Sequence, residues 1–236
     1  MNNNIIIDKR KINIRNSNFA RVPSQFYNEI KIYKSELRKI LGKGVSVNDI
    51  FKDHSLDFPK YVYPIINKKC DMSKACGSSN VYHLHTLIKQ KKFRTINEWK
   101  KWYTRKYPDN VEKAIYKLYN VCIKSLFNIS SGGIKISKKG KEQIRDFCTQ
   151  FVENLMFKKT FVGLKVQEAI LFKLSEIMNE KYVWASSEDD SSGIDGYIGK
   201  IPVSVKPKSC TYAKKAGVKR IIYTIEKDHI SFVHSL

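Results

Sequence analysis

Hydrophobic positions recur at helical spacing through most of the first 180 residues, then switch to short alternating runs. From Pro23 to Leu41 the apolar period predicts a helix, which Gly42 and Gly44 stop. Ser46 and Asp49 in VSVNDIF start another short one. The two prolines and β-branched residues of DFPKYVYPIIN predict an extended connection. Thr95 followed by Glu98 has the spacing of a capping box and opens the helix INEWKKWYTRKY. Pro108 ends that helix, and Asp109 can cap a longer one running to about Phe127. SSGG at residues 130–133 is the clearest linker. Helical patterns resume from about Lys138 to Phe157 and from about Gly163 to Asn179.

Five segments then follow, KYVWAS, GIDGYIG, IPVSVKP, KRIIYTIE and HISFVHS, each short, β-branched and bounded by turn residues. Helices first and strands last define an α/β (α+β) class. Helix 163–179 feeds a mixed, mostly antiparallel sheet, and the division falls into a helical, basic part over 1–130 and a C-terminal module over 131–236, together one compact unit.

Charge narrows the partners. Lys and Arg number 44 against 22 Asp and Glu, a formal excess of +22. Such an excess favours a polyanion, because each neutralised phosphate releases condensed counterions. Nucleic acid is the leading partner; an anionic membrane surface and a merely lysine-rich composition are the alternatives. A hydrophobic content of 42% argues against global disorder. No run approaches the ~20 apolar residues of a membrane span, and the start MNNNIIIDKRK shows no secretory pattern. The five cysteines make no even disulfide framework, so a reducing, cytoplasmic setting is expected.

Candidate chemistry concentrates in GIDGYIGKIPVSVKPKS, residues 193–209. Strand alternation sends Ile201, Val203 and Val205 to a core and turns Ser204 and Lys206 outward. Gly199-Lys200 is a plausible tight turn, which puts Asp195 on the adjacent strand facing the same rim as Lys206, outside the core. Taken alone the pair is equally consistent with a surface salt bridge across a hairpin. An acid and a lysine on neighbouring strands are also the centre of the PD-(D/E)xK nuclease fold. There the carboxylate holds Mg2+ and the lysine helps activate the attacking water. The usual acid two residues before the lysine is replaced here by Ser204, so a second carboxylate must come from elsewhere. Glu168, on the helix GLKVQEAILFKLSEIM, is placed first; Glu188, Asp189 and Asp190, in a Ser-rich loop before the hairpin, are rival donors.

Three stretches together resemble one known family: YVYPIIN (61–67), KTFVGLKVQEAI (159–170) and GIDGYIGKIPVSVKP (193–207). They are similar to the type II restriction endonucleases that recognise the palindrome CTAG, with INEWKKWYTRKYPDNVEKA (96–114) a looser fourth match. In that family the missing acid before the lysine is normal. The resemblance implies a PD-(D/E)xK core, Asp195 and Lys206 as catalytic positions, Glu168 as the helix carboxylate and Mg2+ as cofactor. It further implies a homodimer on double-stranded DNA and a cognate methyltransferase. Where the family would carry a small-residue, arginine-containing segment after YVYPIIN, this chain has KKCDMSKACGSSNVYHLH.

Cys70, Cys76, His83 and His85 in that segment are soft ligands, but Cys-x5-Cys and His-x-His match no common zinc module. Buried cysteines and hydrogen-bonded histidines are the plainer expectation. In WKKWYTRKY, Trp99, Trp102 and Tyr103 should fill a core, leaving Lys100, Lys101 and Arg105 to meet phosphates. Lys208, beyond Pro207, is a phosphate contact at most. A structure-selective or repair nuclease of the same fold and a non-enzymatic nucleic-acid binder are the competing functions.

Overall fold

The computed structural model describes residues 29–54, 81–129, 137–210 and 216–234. YVYPIIN, Cys70, Cys76 and the SSGG linker lie outside them. Strand β1 (Glu29–Tyr33) is followed by helices α1 (Lys34–Leu41), α2 (Val47–Phe51), α3 (Val81–Lys91), α4 (Ile96–Lys106), α5 (Pro108–Ile129) and α6 (Lys138–Glu153). A π-helical turn (Asn154–Lys159) joins α6 to α7 (Thr160–Met178). Then come β2 (Tyr182–Trp184), α8 (Ser187–Ser191), β3 (Gly196–Ile198), β4 (Ile201–Pro207), β5 (Lys219–Ile225) and β6 (His229–Val233).

The strands form one six-stranded sheet in the order β1-β6-β5-β4-β3-β2. Every pairing is antiparallel except β4 with β5, which is parallel. The five C-terminal strands fall where alternation placed them. The sixth corrects the expected helix from Pro23 to Leu41. Glu29–Tyr33 is extended and pairs with β6, Ile30 against Phe232 and Ile32 against Ile230; among the described residues of that segment the helix is confined to 34–41. Alternating β-branched Ile30 and Ile32 suit a half-buried strand, and the open edge of β6 supplies the pairing.

Helix boundaries follow local chemistry. The Thr95 hydroxyl accepts from the Glu98 amide at 3.0 Å, but the Glu98 carboxylate reaches back to the Arg94 amide at 2.8 Å, one residue beyond a regular capping box. Pro108 opens α5, where its missing N–H costs nothing. The expected gap between residues 157 and 163 is instead the π-helical turn, in which the Thr160 amide bonds back to the Leu155 carbonyl. Its widened backbone presents the Met156 carbonyl to the indole N–H of Trp99 at 3.1 Å.

Two apolar clusters result. One joins α3–α6, the π turn and the start of α7, with Trp99, Tyr103, Leu118 and Phe157 almost fully buried. Trp99 and Tyr103 thus fill a core as expected, whereas Trp102 is half-buried against it. Cys122 and Cys148 are buried thiols not joined in a disulfide, their sulfurs 3.9 Å apart. The other cluster lies between the sheet and α7, and takes in α1 and α2. Helix α7 serves both, Phe161 and Leu164 facing the first and Val166, Ile170, Leu171 and Leu174 the second. Its apolar character nearly all round follows from that double burial. Among the described residues no helix is long and apolar enough to cross a membrane.

Candidate active site

The hairpin between β3 and β4 is closed by Gly199-Lys200, Ile198 pairing directly with Ile201. Gly199 has φ +56°, the left-handed backbone that the first position of a type II′ turn requires. At the other end β3 is short. A Cβ on Gly196 would stand 2.8 Å from Leu171 Cδ1 and 2.8 Å from the Val183 carbonyl, so only glycine lets β3 lie this close to α7.

Asp195 occupies the point where β3 stops and β4 runs on. Its amide donates to the Val203 carbonyl at 2.8 Å, the last ladder bond of that pair. Two residues along, the Val205 N–H and C=O still point toward β3 and meet no further strand. The Asp195 carboxylate takes the N–H, Val205 N to Oδ2 at 2.7 Å. The Gln167 side chain takes the C=O, Nε2 to Val205 O at 3.3 Å, and the same Nε2 donates to Asp195 Oδ1 at 2.9 Å. Both orphaned groups of β4 are therefore satisfied by the residues that build the site.

Lys206 completes it, its Nζ lying 3.1 Å from Asp195 Oδ1 and 2.9 Å from Oδ2. The Ser204 hydroxyl is 3.5 Å from Oδ2, a marginal contact. Lys206 retains 27% of its side-chain exposure and Asp195 only 4%. The expectation that Asp195 stands on an exposed rim is thereby corrected: the carboxylate is buried, because it caps β4 beneath α7. Burial pushes its pKa up, and Lys206 and the Val205 amide hold it down only in part. Behind it on β5, burial and the Asp195 charge push the Tyr223 phenol up to about 12, so it stays neutral. Val203 and Val205 are fully buried, while Ile201 is partly exposed.

The other sequence-predicted residues are distributed differently. Glu168, one step round α7 from Gln167, forms an ion pair with Lys165 at 2.9 Å, and its charge bears on Tyr182. Asp189 closes a capping box with Ser186 at the start of α8. Asp190 faces His85 of α3, Oδ2 to Nδ1 at 3.6 Å. Lys100 is bound to Glu153 at 3.0 Å, and Lys101, Arg105 and Lys208 are exposed. Gln167 was not singled out by sequence reasoning. The available signal is its position one helical turn before Leu171, the residue against which Gly196 packs.

Among the described residues no three His, Cys, Asp or Glu side chains converge on a common point. That donor set still suits Mg2+, which is commonly held by one or two carboxylates plus water and substrate phosphate. A buried carboxylate already neutralised by an ammonium offers hard oxygen donors of the right kind.

A helix-backed mixed sheet carrying a buried Asp and a Lys on adjacent strands is compatible with the restriction-endonuclease-like fold of metal-dependent phosphodiesterases. The family model for the MjaI restriction endonuclease matches residues 63–232. The chain is 32% identical over 219 residues to the type II restriction enzyme MthZI of Methanothermobacter thermautotrophicus, covering 89% of this chain and 97% of that one. It is 34% identical over 167 residues to the type II restriction enzyme MjaI of Methanocaldococcus jannaschii, covering 67% and 70%. No solved structure matches. The chain belongs to the MjaI restriction endonuclease family. It is accordingly a type II site-specific deoxyribonuclease.

Proposed function

We propose that this enzyme hydrolyses both strands of duplex DNA at a short palindrome, CTAG, with Mg2+ as its cofactor and a homodimer as its working form. The observation that carries the reading is the Asp195–Lys206 pair, built on adjacent strands and braced by Gln167 and Val205. A two-fold protein matches a two-fold site, which is the argument for the dimer. A cognate methyltransferase protecting the host site, and a cytoplasmic location, accompany that role.

Asp195 would hold the cation together with a second carboxylate. When bound, such an ion supplies Lewis-acid charge and lowers the pKa of a coordinated water. Lys206 reaches outward from the buried carboxylate and places its ammonium beside the attacked phosphate, where negative charge develops. Gln167 keeps Asp195 in register with β4. Lys101, Arg105 and Lys208 are the exposed cations assigned to phosphates, with Lys100 available once it leaves Glu153.

Incubating the purified protein with a mapped plasmid in Mg2+, and again with EDTA, tests this reading. It predicts discrete fragments whose sequenced ends fall within CTAG, and none with EDTA. Fragments ending at another fixed sequence would remove the CTAG assignment, and cutting only at branched or damaged DNA would favour a structure-selective nuclease.

A further inference from the structure

Strand β4 carries its pairing one residue past Pro207. The Lys208 amide donates to the Tyr223 carbonyl at 2.9 Å, one more bond of the β4–β5 ladder. The Cys210 amide then returns to the Pro207 carbonyl at 2.9 Å and closes a tight turn over residues 207–210. Lys208 and Ser209 are exposed at its tip. From β5, Arg220 reaches across and donates from Nη2 to the Cys210 carbonyl at 2.7 Å. In the parallel register Arg220 stands opposite Ser204, and Ile222 opposite Lys206. Val205 and Ile221, the pair between them, are fully buried in the cluster beneath α7. Arg220, Ser204 and Lys206 therefore leave the sheet on its other face. The guanidinium thus fastens the turn on the face that bears Lys206.

We propose that Arg220 is a positioning residue for DNA: by fixing the Cys210 carbonyl it holds the turn so that Lys208 meets the phosphate next to the one cut beside Lys206. This rests on the reading of Lys206 as the cation at the attacked phosphate. Residues two apart on a strand set their side chains on one face roughly 6–7 Å apart, comparable to the step between successive phosphates of one DNA strand. Lys206 and Lys208 have that spacing, and Pro207 between them fixes one backbone angle. An exposed lysine on a loose turn would lose much of its gain to the entropy of ordering the chain. Here the ladder bond, the turn bond and the guanidinium set the backbone before DNA arrives. A planar guanidinium suits the task, because its fork of donors is pre-organised and little freedom is lost per bond formed. A phosphate contact of this kind carries no sequence information; it fixes the register of the duplex on the enzyme.

Equilibrium binding of the full-length protein to a short duplex carrying the site that the wild type cuts, in Ca2+ and over a range of salt, tests this apart from cleavage. Each phosphate contact contributes about 0.9 to the slope of log affinity against log salt. Lys208→Ala should lower the slope by about that amount, and Arg220→Met by the same. The double variant should lower it no further, because both changes remove one contact. Arg220→Lys, which keeps a donor for the carbonyl, should stay near the wild type. A neutral methylphosphonate at the phosphate beside the cut should weaken wild-type binding and leave that of both single variants unchanged. Thermal melting of each variant controls for folding, and Arg220→Gln takes the place of the methionine variant should that one not fold. A wild-type slope in Lys208→Ala or in Arg220→Met would overturn the proposal. So would a double variant that loses two contacts, since Arg220 would then touch phosphate itself. Undiminished cutting by Lys206→Ala would instead overturn the site reading on which the proposal rests.

Discussion

The two apolar clusters differ in their residues, the helical one rich in aromatic rings and the sheet one in aliphatic side chains, and they treat polar groups differently. In the helical cluster, aromatic rings pack on one another, with Trp99 and Tyr103 centroids 5.0 Å apart, and the indole N–H finds a carbonyl. In the sheet cluster, a carboxylate and an amide are admitted to the margin of the core, where they complete the unfinished edge of β4. The first arrangement maximises burial. The second spends burial on holding a charge in one place, the usual mark of a working site. Helix α7 connects them, so the aromatic cluster serves as the footing for the chemistry.

This contrast can be broken from either side. Leu118→Ala removes a fully buried side chain from the helical cluster, and should cost about 2–5 kcal/mol of stability. Cleavage per folded molecule should stay near wild type, as denaturant unfolding paired with titrated active protein would show. Gly196→Ala pushes a methyl into Leu171 and the Val183 carbonyl, for about 1–3 kcal/mol. Its larger consequence should be on cleavage, because β3 shifts away from α7 and carries Asp195 with it. Equal losses of cleavage in these two variants would erase the distinction between the clusters.

The smallest effect concerns the tie between α1 and α7. Lys173 donates to Glu36 at 2.6 Å, and that bond raises the lysine pKa. A folded-state pKa raised above the unfolded value means that this stability is fully present below the ordinary lysine range. It is lost as pH rises through the folded pKa, so the window is alkaline. Glu36→Gln should cost about 0.5–1 kcal/mol at neutral pH, and the gap from wild type should close in strongly alkaline buffer. Melting curves across that range would check it.

Much of this architecture was legible from local pattern. Strict alternation located β4, β5 and β6; Pro108 and Thr95 fixed helix ends; and Asp195 and Lys206 came together as strand geometry required. What local pattern could not carry was tertiary. EIKIY reads as the middle of a helix from Pro23 to Leu41 until β6, some two hundred residues later, offers it an edge. The burial of Asp195 depends on β3 ending two residues short of Val205, a length that alternation does not reveal. Gln167 and Glu168 are neighbours in sequence, and only the rotation of α7 decides which meets Asp195 and which meets Lys165.

The most direct test of the central claim compares two lysines of one hairpin, Lys206 against the carboxylate and Lys200 exposed in the turn. Plasmid cleavage in Mg2+ would be followed for Lys206→Ala and Lys200→Ala alongside the wild type. Losing a group that stabilises developing charge costs about 100- to 1,000-fold in rate. We predict a loss of that size for Lys206→Ala and near-normal cutting for Lys200→Ala, with both proteins cooperatively folded. Equal activity in the two variants would contradict the account and reduce the Asp195–Lys206 pair to a structural ion pair at a strand end.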